Sequence, residues 1–280
     1  MLGTIVAAIL TVFPHSSPDS DFADFLYSSG EYELAAGEYL RIIYLNNADT
    51  LSNPVVSLRL AGCMHELGRL SDALFLYSYL GAHLPDRDMQ ASALMGAGAV
   101  LEEIGEFSSA RLAYVDAVRT ASDMEIQNRA DIMAGLMYAR MGRWDHSAEV
   151  LTRISSAAGP FASGAEQLAG VVSRGSSLPE RSPFWCGLSS AILPGSGQMI
   201  CGHFTDGAIA LGVNGLIAYL FYESLREDNT TTSVLLGWLS LSFYSGNIYG
   251  GSKAARTYNS ARRRELLEEI TGIIEDEHIF

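Results

Sequence analysis

A short pattern of residues recurs four times in the first part of this 280-residue chain, at almost constant intervals. Each copy has a Gly, an aromatic residue or Leu two positions later, and a small residue three positions after that. Gly adopts the left-handed conformation that ends a helix without a Cβ penalty, and a small residue permits two helices to cross closely. The pattern therefore predicts an all-α stack of four helical hairpins. The glycines are 38, 37 and 37 residues apart: Gly30, Gly68, Gly105 and Gly142.

This pattern resembles the tetratricopeptide-repeat family over roughly residues 20–156. Small-residue pairs that match the first helix of that repeat are also present: Leu60-Ala61, Ala97-Gly98 and Ala134-Gly135. The period exceeds the family's usual value of about 34 residues, so we expect longer loops between hairpins. The resemblance implies a tetratricopeptide-like solenoid over residues 18–175, in which residues 161–173 form a helix that closes the stack.

The resemblance also implies a binding surface. In that family, the first helix of each hairpin lines a concave groove that binds peptides or protein segments. The positions that correspond in this chain are His65, Glu66, Glu102, Glu103, Arg129, Ile132, Leu136 and Arg140. Acids on two repeats and arginines on the next suit a partner that carries both signs of charge. The alternative for each position is an ordinary solvent-exposed helix residue.

The last hundred residues differ sharply in charge pattern. After a linker at residues 176–183, no Asp, Glu, Lys or Arg occurs in residues 182–205, 207–222 or 229–252. A membrane-spanning helix needs about 20 apolar residues, whereas soluble helices keep a charged face. Residues 184–252 are therefore predicted to form a small transmembrane bundle of two or three helices. The alternative is a soluble helical subdomain.

The first uncharged stretch contains the run Pro194-Gly195-Ser196-Gly197-Gln198. Over residues 184–259 the chain resembles small bacterial membrane domains that carry a Pro-Gly-x-Gly-Gln motif, which implies an architecture rather than an activity. The matching positions are Pro194, Gly195, Gly197, Gln198, Asn214, Asn247, Tyr249, Gly250 and Gly251. Because polar groups in apolar surroundings need hydrogen-bond partners, we expect Gln198, Asn214 and Asn247 to lock the helices together. A small polar site or ion path is the alternative.

Loop charges predict the orientation in the membrane. The loop at residues 223–228 is acidic, whereas the tail at residues 253–280 begins with a basic cluster, so the positive-inside rule places the tail in the cytoplasm. Three crossings then place the repeats outside, in the periplasm; two crossings and a re-entrant segment place them in the cytoplasm. We favour three crossings, since residues 1–17, which are apolar up to Phe13, are typical of a signal peptide. The alternative for this segment is a buried first helix of the soluble domain. Five tail residues share one helical face: Leu266, Leu267, Ile270, Ile273 and Ile274.

Composition and motifs exclude several functions. The net charge of −14 disfavours nucleic acid as a partner. The six histidines and three cysteines form no metal-ligand pattern, and no catalytic motif is present, so we expect no enzyme, metal, cofactor or small-molecule substrate. The sequence favours a scaffold, anchored in the membrane of the bacterial cell envelope, that binds a protein partner through the concave face. The alternative is a structural subunit of a membrane assembly complex, contacted mainly through its hydrophobic bundle.

Overall fold

The computed structural model describes residues 20–47, 49–157 and 161–276, so the predicted signal peptide at residues 1–17 lies outside the described part. These residues form thirteen α-helices and no strand, as the all-α prediction requires. The chain divides into two compact units. The first unit contains the described residues up to Ser176 together with those from Leu267 onward, and the second runs from Ser177 to Leu266.

Nine helices make up most of the first unit: α1 (Asp21–Ser28), α2 (Tyr32–Leu45), α3 (Pro54–Glu66), α4 (Leu70–His83), α5 (Arg87–Ile104), α6 (Phe107–Thr120), α7 (Met124–Arg140), α8 (Trp144–Ser155) and α9 (Ala162–Ser173). Each of these helices packs against the next one along the chain. In addition, α3 contacts α5, and α5 contacts α7. We call α1, α3, α5 and α7 the leading helices, because each begins a hairpin.

The turns within the hairpins follow from the repeated glycines. All four adopt positive φ angles, between 69° and 88°. After each glycine, the next backbone N–H donates to the carbonyl five residues earlier, as in the bond of 2.9 Å from Glu106 N to Leu101 O. This is the Schellman motif, which satisfies carbonyls that a helix end would otherwise leave unpaired. The predicted role of the glycines is confirmed.

Polar side chains start the longer leading helices. Asn53, just before Pro54, accepts a hydrogen bond of 3.3 Å from Val56 N, and Asp86 accepts one of 2.8 Å from Met89 N. These caps satisfy backbone donors that have no partner within the helix, so the sequence itself sets where α3 and α5 begin.

Three tyrosines at equivalent positions of the trailing helices form the centre of the core. Tyr39, Tyr77 and Tyr114 are each fully buried. The rings of Tyr77 and Tyr114 pack against Gly96 and Gly98 of α5, where a Cβ atom would lie only 2.5 Å and 2.7 Å from the nearest ring carbon. The predicted small residues of the trailing helices are also fully buried: Ala35, Ala73, Ala110 and Ser147.

The second unit contains α10 (Pro183–Ile192), α11 (Ser196–Ile200), α12 (Phe204–Arg226) and most of α13 (Thr230–Asp276). The first uncharged stretch is not one spanning helix, because α10 ends before Pro194 and α11 has five residues. A ten-residue helix is about 15 Å long, half of a hydrocarbon core. Within the described residues, α12 is the one helix that is long and apolar enough to span a membrane.

Helix α13 is continuous over 47 residues, roughly 70 Å, and its last part leaves the second unit. From Leu267 onward it belongs to the same compact unit as the hairpins. A bilayer cannot separate two segments that are packed together. The three-crossing topology, which puts the repeats and the tail in opposite compartments, stays a prediction, and this packing disfavours it.

Candidate functional site

Side chains of neighbouring leading helices form contacts with each other. His65 Nε2 of α3 lies 2.7 Å from Glu103 Oε2 of α5. Arg140 Nε of α7 donates a hydrogen bond of 3.2 Å to Glu102 Oε1 of α5. The partners in both pairs are 38 residues apart in sequence, one repeat, so the period of the hairpins sets this register. Four of the eight predicted groove residues therefore form two cross-links rather than isolated charges.

The tail helix fills the groove between α5 and α7. Leu267, Ile270 and Ile274 line one narrow cleft together with three predicted groove residues, Glu102, Leu136 and Arg140, and with Met133, Met137 and Ala139. The cavity left between them is about 10 Å³, which holds at most about one water molecule. We refer to this surface of α5 and α7 as the groove, and to residues 267–276 as the tail helix.

The exposed and buried faces of the tail helix are clearly divided. Ile270 and Ile274 retain 4% and 7% of their accessible surface, whereas Glu268 and Glu269 are exposed. Arg174, which follows α9, donates to Glu269 across the edge of this contact. The apolar stripe that the sequence predicts is thus covered by the repeats, and the ion pair between Arg174 and Glu269 lies at the edge of this contact.

Glu102 is the most electrostatically unusual residue of the groove. Its side chain is 8% exposed, and Oε2 has no hydrogen-bond partner in the described structure. Burial raises the pKa of this carboxyl above its ordinary value, and Arg140 opposes the rise. The half-satisfied carboxylate lies beside apolar tail residues, so its ionised form is costly in this position.

The other predicted groove residues lie elsewhere or are blocked. Ile132 is fully buried in the core. Arg129 pairs with Glu125 at 2.8 Å and lies over the ring of Phe161, 5.5 Å from its centroid. Glu66 is half-buried and outside the cleft that holds the tail helix. Arg129 and Ile132, which the family pattern places on the binding surface, are thus occupied by contacts within the chain.

A second cluster lies within the second unit and contains much of the Pro-Gly-x-Gly-Gln motif. Asn247 Oδ1 accepts a hydrogen bond of 2.9 Å from Gly195 N, and Asn247 Nδ2 donates one of 2.8 Å to Ser190 O. Gln198 Nε2 lies 3.3 Å from Asn247 Oδ1. Ser190 Oγ accepts from Gly197 N at 2.9 Å and donates to Gln198 Oε1 at 3.0 Å. The cluster supplies partners for backbone groups that the broken helix leaves free.

The motif glycines lie where neighbouring segments pack closely against the backbone. A Cβ at Gly197 would lie 2.1 Å from Cys186 O, and one at Gly251 would lie 2.7 Å from the same oxygen. A Cβ at Gly250 would lie 2.7 Å from Gln198 Nε2. These contacts explain why the turn and α13 carry glycine at these positions: a side chain would separate α10, α11 and α13.

Three motif residues do not join this cluster. Asn214 Nδ2 donates a hydrogen bond of 2.8 Å to Ala210 O of its own helix. It does not join α12 to another helix, contrary to our prediction. Tyr249 is 63% exposed. Pro194 lines a separate apolar cavity with Leu211 and Tyr244.

Sequence reasoning missed Ser190 and the two methionines of the groove. Ser190 lies in an uncharged stretch with no recurring pattern, so the sequence carries no signal for its role. Met133 and Met137 lie on α7 beside predicted groove residues, but the family pattern does not include their positions. Across the described ranges, no three His, Cys, Asp or Glu side chains are grouped closely enough to hold a metal ion. Cys186 and Cys201 are free thiols with sulfur atoms 3.7 Å apart.

No family model matches this chain, and no curated protein or solved structure matches it significantly.

Proposed function

We propose that this protein is a membrane-anchored scaffold that grips a helical segment of a partner protein in the groove. The observation that carries the proposal is the groove itself, which holds an amphipathic helix through three apolar side chains. Helix-in-groove recognition uses anchors at such spacings. A surface of this shape and chemistry suits a protein segment better than a small molecule.

The tetratricopeptide-like solenoid is part of this proposal. Four left-handed glycines at one period and buried small residues on the trailing helices support it. Contacts between successive leading helices support it as well, because these helices line the concave surface in that architecture.

Exposed apolar side chains on the second unit support membrane anchoring. On α12, Ile209 and Leu216 are 65% and 59% exposed, and on α13, Leu235 and Trp238 are 69% and 73% exposed. Soluble proteins rarely expose contiguous apolar surface of this kind, whereas lipid chains cover it without cost.

We further propose two crossings, by α12 and by the first half of α13, with α10 and α11 as a re-entrant hairpin. The tail helix and the repeats then share a compartment, as their packing requires. The basic residues at 262–264, together with Arg174 and Arg181, support the cytoplasm as that compartment by the positive-inside rule. Under this topology residues 1–17 do not serve as an export signal.

A second candidate function is a structural subunit of a membrane complex. One observation favours it: an open cavity of about 560 Å³ between α12 and α13, lined by Ile209, Val213 and Phe243 beside the polar residue Asn247. A helix of a neighbouring membrane protein would fit such a surface.

Photocrosslinking in intact membranes separates the two candidates. A photoreactive amino acid is placed in the full chain at Glu103 beside the groove, at Phe75 on a trailing helix, or at Ile209 on α12; Phe75 is 74% exposed and serves as the control. The scaffold predicts a discrete crosslinked protein from position 103 and none from position 75. Crosslinks from position 209 alone would overturn the scaffold and favour the membrane subunit.

A further inference from the structure

We propose that the tail helix is a built-in ligand of the groove, and that the partner is an acidic amphipathic helix that must displace it. This inference rests on the proposed function, since it names the class of partner and the regulation of the same groove. The tail helix fills the cleft in the described structure, so the free groove and the occupied groove are competing states.

The arrangement of the tail helix defines what the groove recognises. Leu267, Ile270 and Ile274 occupy positions i, i+3 and i+7, which lie on one helical face, and all three enter the cleft. The flexible thioethers of Met133 and Met137 line the opposite wall. Methionine adapts to different apolar partners, so a helix with a similar but not identical stripe also fits this cleft.

Charge at the rim selects the sign of the partner. Arg174 pairs with Glu269, at position i+2 of the tail helix, whereas Arg140 in the cleft wall is paired with Glu102. Glu268, Glu275 and Asp276 extend the acidic face that the tail helix presents to solvent. A competing helix therefore needs a carboxylate opposite Arg174, and a basic residue at that position is repelled by the charge of Arg174.

The tether explains how such a contact can regulate binding. A segment held in the same chain acts at an effective concentration in the millimolar range, so a weak contact stays closed. An external helix then binds with an affinity reduced by the fraction of open grooves, roughly 100-fold for a closed state populated at about 99%. Loosening the tail helix removes that reduction.

The probe for this proposal is a fluorescent synthetic peptide of residues 262–276, measured by anisotropy against the full-length protein in detergent micelles. We expect weak binding to the unmodified protein and at least about tenfold tighter binding to the full-length Ile270→Asp variant, whose own tail helix is loosened. A control peptide with Ile270→Asp and Ile274→Asp should not bind either protein. Equal affinities for both proteins, with unchanged helical circular dichroism, would overturn the proposal.

A surface charge reversal tests the same contact without threatening the fold. Glu269→Arg in the full-length protein should tighten binding of the probe a few-fold, because exposed ion pairs are weak. A probe peptide that carries Glu269→Arg should bind poorly to the Ile270→Asp protein and recover when Arg174→Glu is added. Binding of this peptide regardless of Arg174 would contradict the predicted recognition of charge.

Failure of this inference is distinguishable from failure of the scaffold. If the peptide results hold but position 103 yields no crosslinked protein, the built-in ligand stands and the scaffold falls. If position 103 crosslinks a partner equally well with and without Ile270→Asp, the scaffold stands and the built-in ligand falls. A dimer mass by light scattering that becomes monomeric in the Ile270→Asp variant would assign the tail to a second copy and overturn the intramolecular contact.

Discussion

Two glycines of α5 lie where buried tyrosine rings leave no room for a methyl group. Because a Cβ at Gly98 would lie 2.7 Å from Tyr114 Cε1, and that ring is fully buried, Gly98→Ala forces the ring or the helix to move. We expect a loss of about 1–3 kcal/mol in the free energy of unfolding, the usual cost of overpacking. Thermal and denaturant melts followed by circular dichroism would measure it.

Gly37→Ala is the matched control, since Gly37 is also helical but nothing lies within 4 Å of its Cβ position. Alanine should stabilise the protein there by about 0.5–1 kcal/mol, because helical glycine costs backbone entropy. Equal effects of the two substitutions would contradict the packing of Tyr114 against α5.

Glu102 makes stability depend on pH. Its raised pKa means that the folded protein binds this proton more tightly than the unfolded chain does. Stability should therefore fall as pH rises from the carboxyl's ordinary pKa of 4.5 towards its raised value, where the buried group ionises. Glu102→Gln removes the titration and should flatten this dependence in melts from about pH 4 to about pH 8. Glu149→Gln, at an exposed carboxylate, should leave the profile unchanged.

At the scale of helices, Asn247 determines whether the broken segment α10–α11 holds its place against α13. Asn247→Leu leaves Gly195 N–H and Ser190 C=O without their partners in a buried cluster. Each unsatisfied buried group costs about 1–3 kcal/mol, so we expect a large drop in the melting temperature of the detergent-solubilised protein.

Asn214→Leu provides the comparison on α12. Asn214 donates only to Ala210 O of its own helix, whose backbone is already helical, so its loss should have a small effect. A drop as large as that of Asn247→Leu would show that the polar cluster is not what holds the helices together.

At the scale of the whole molecule, the packing of the tail helix on the repeats predicts a shared compartment. Single cysteines introduced as Glu180→Cys, Glu227→Cys and Glu268→Cys lie at exposed positions. A membrane-impermeant maleimide should label only Cys at position 227 in intact cells, and all three after permeabilisation. The native cysteines are buried, which keeps the background low. Labelling of both positions 180 and 227 in intact cells would instead support the three-crossing topology.

Much of the fold could be predicted because its signals are local. Helix ends at Gly68 or Gly105 depend on a conformation that glycine alone adopts cheaply, and the period of the hairpins repeats those signals four times. The all-helical class, the hairpin turns and the break at Pro194 follow from such residues. Part of the polar cluster was also predictable, since Gln198 and Asn247 are polar groups in uncharged stretches that need partners.

The sequence pattern predicted only part of the groove. Glu102, Leu136 and Arg140 were found because the repeat aligns them on leading helices, but the pattern could not show that Arg129 lies over the ring of Phe161 or that Ile132 is in the core. The first of these outcomes depends on Phe161, just before α9, which lies outside the repeated pattern.

The amino-acid sequence by itself determined the helices, their turns and the amphipathic stripe of the tail. Only the tertiary structure decided that this stripe lies in the groove. The physical reason is that an apolar stripe favours burial without specifying against what: lipid, a partner or the chain's own repeats all remove it from water. The choice among them depends on residues more than a hundred positions apart, such as Leu136 and Ile270, which line the same cleft and which no local pattern brings together.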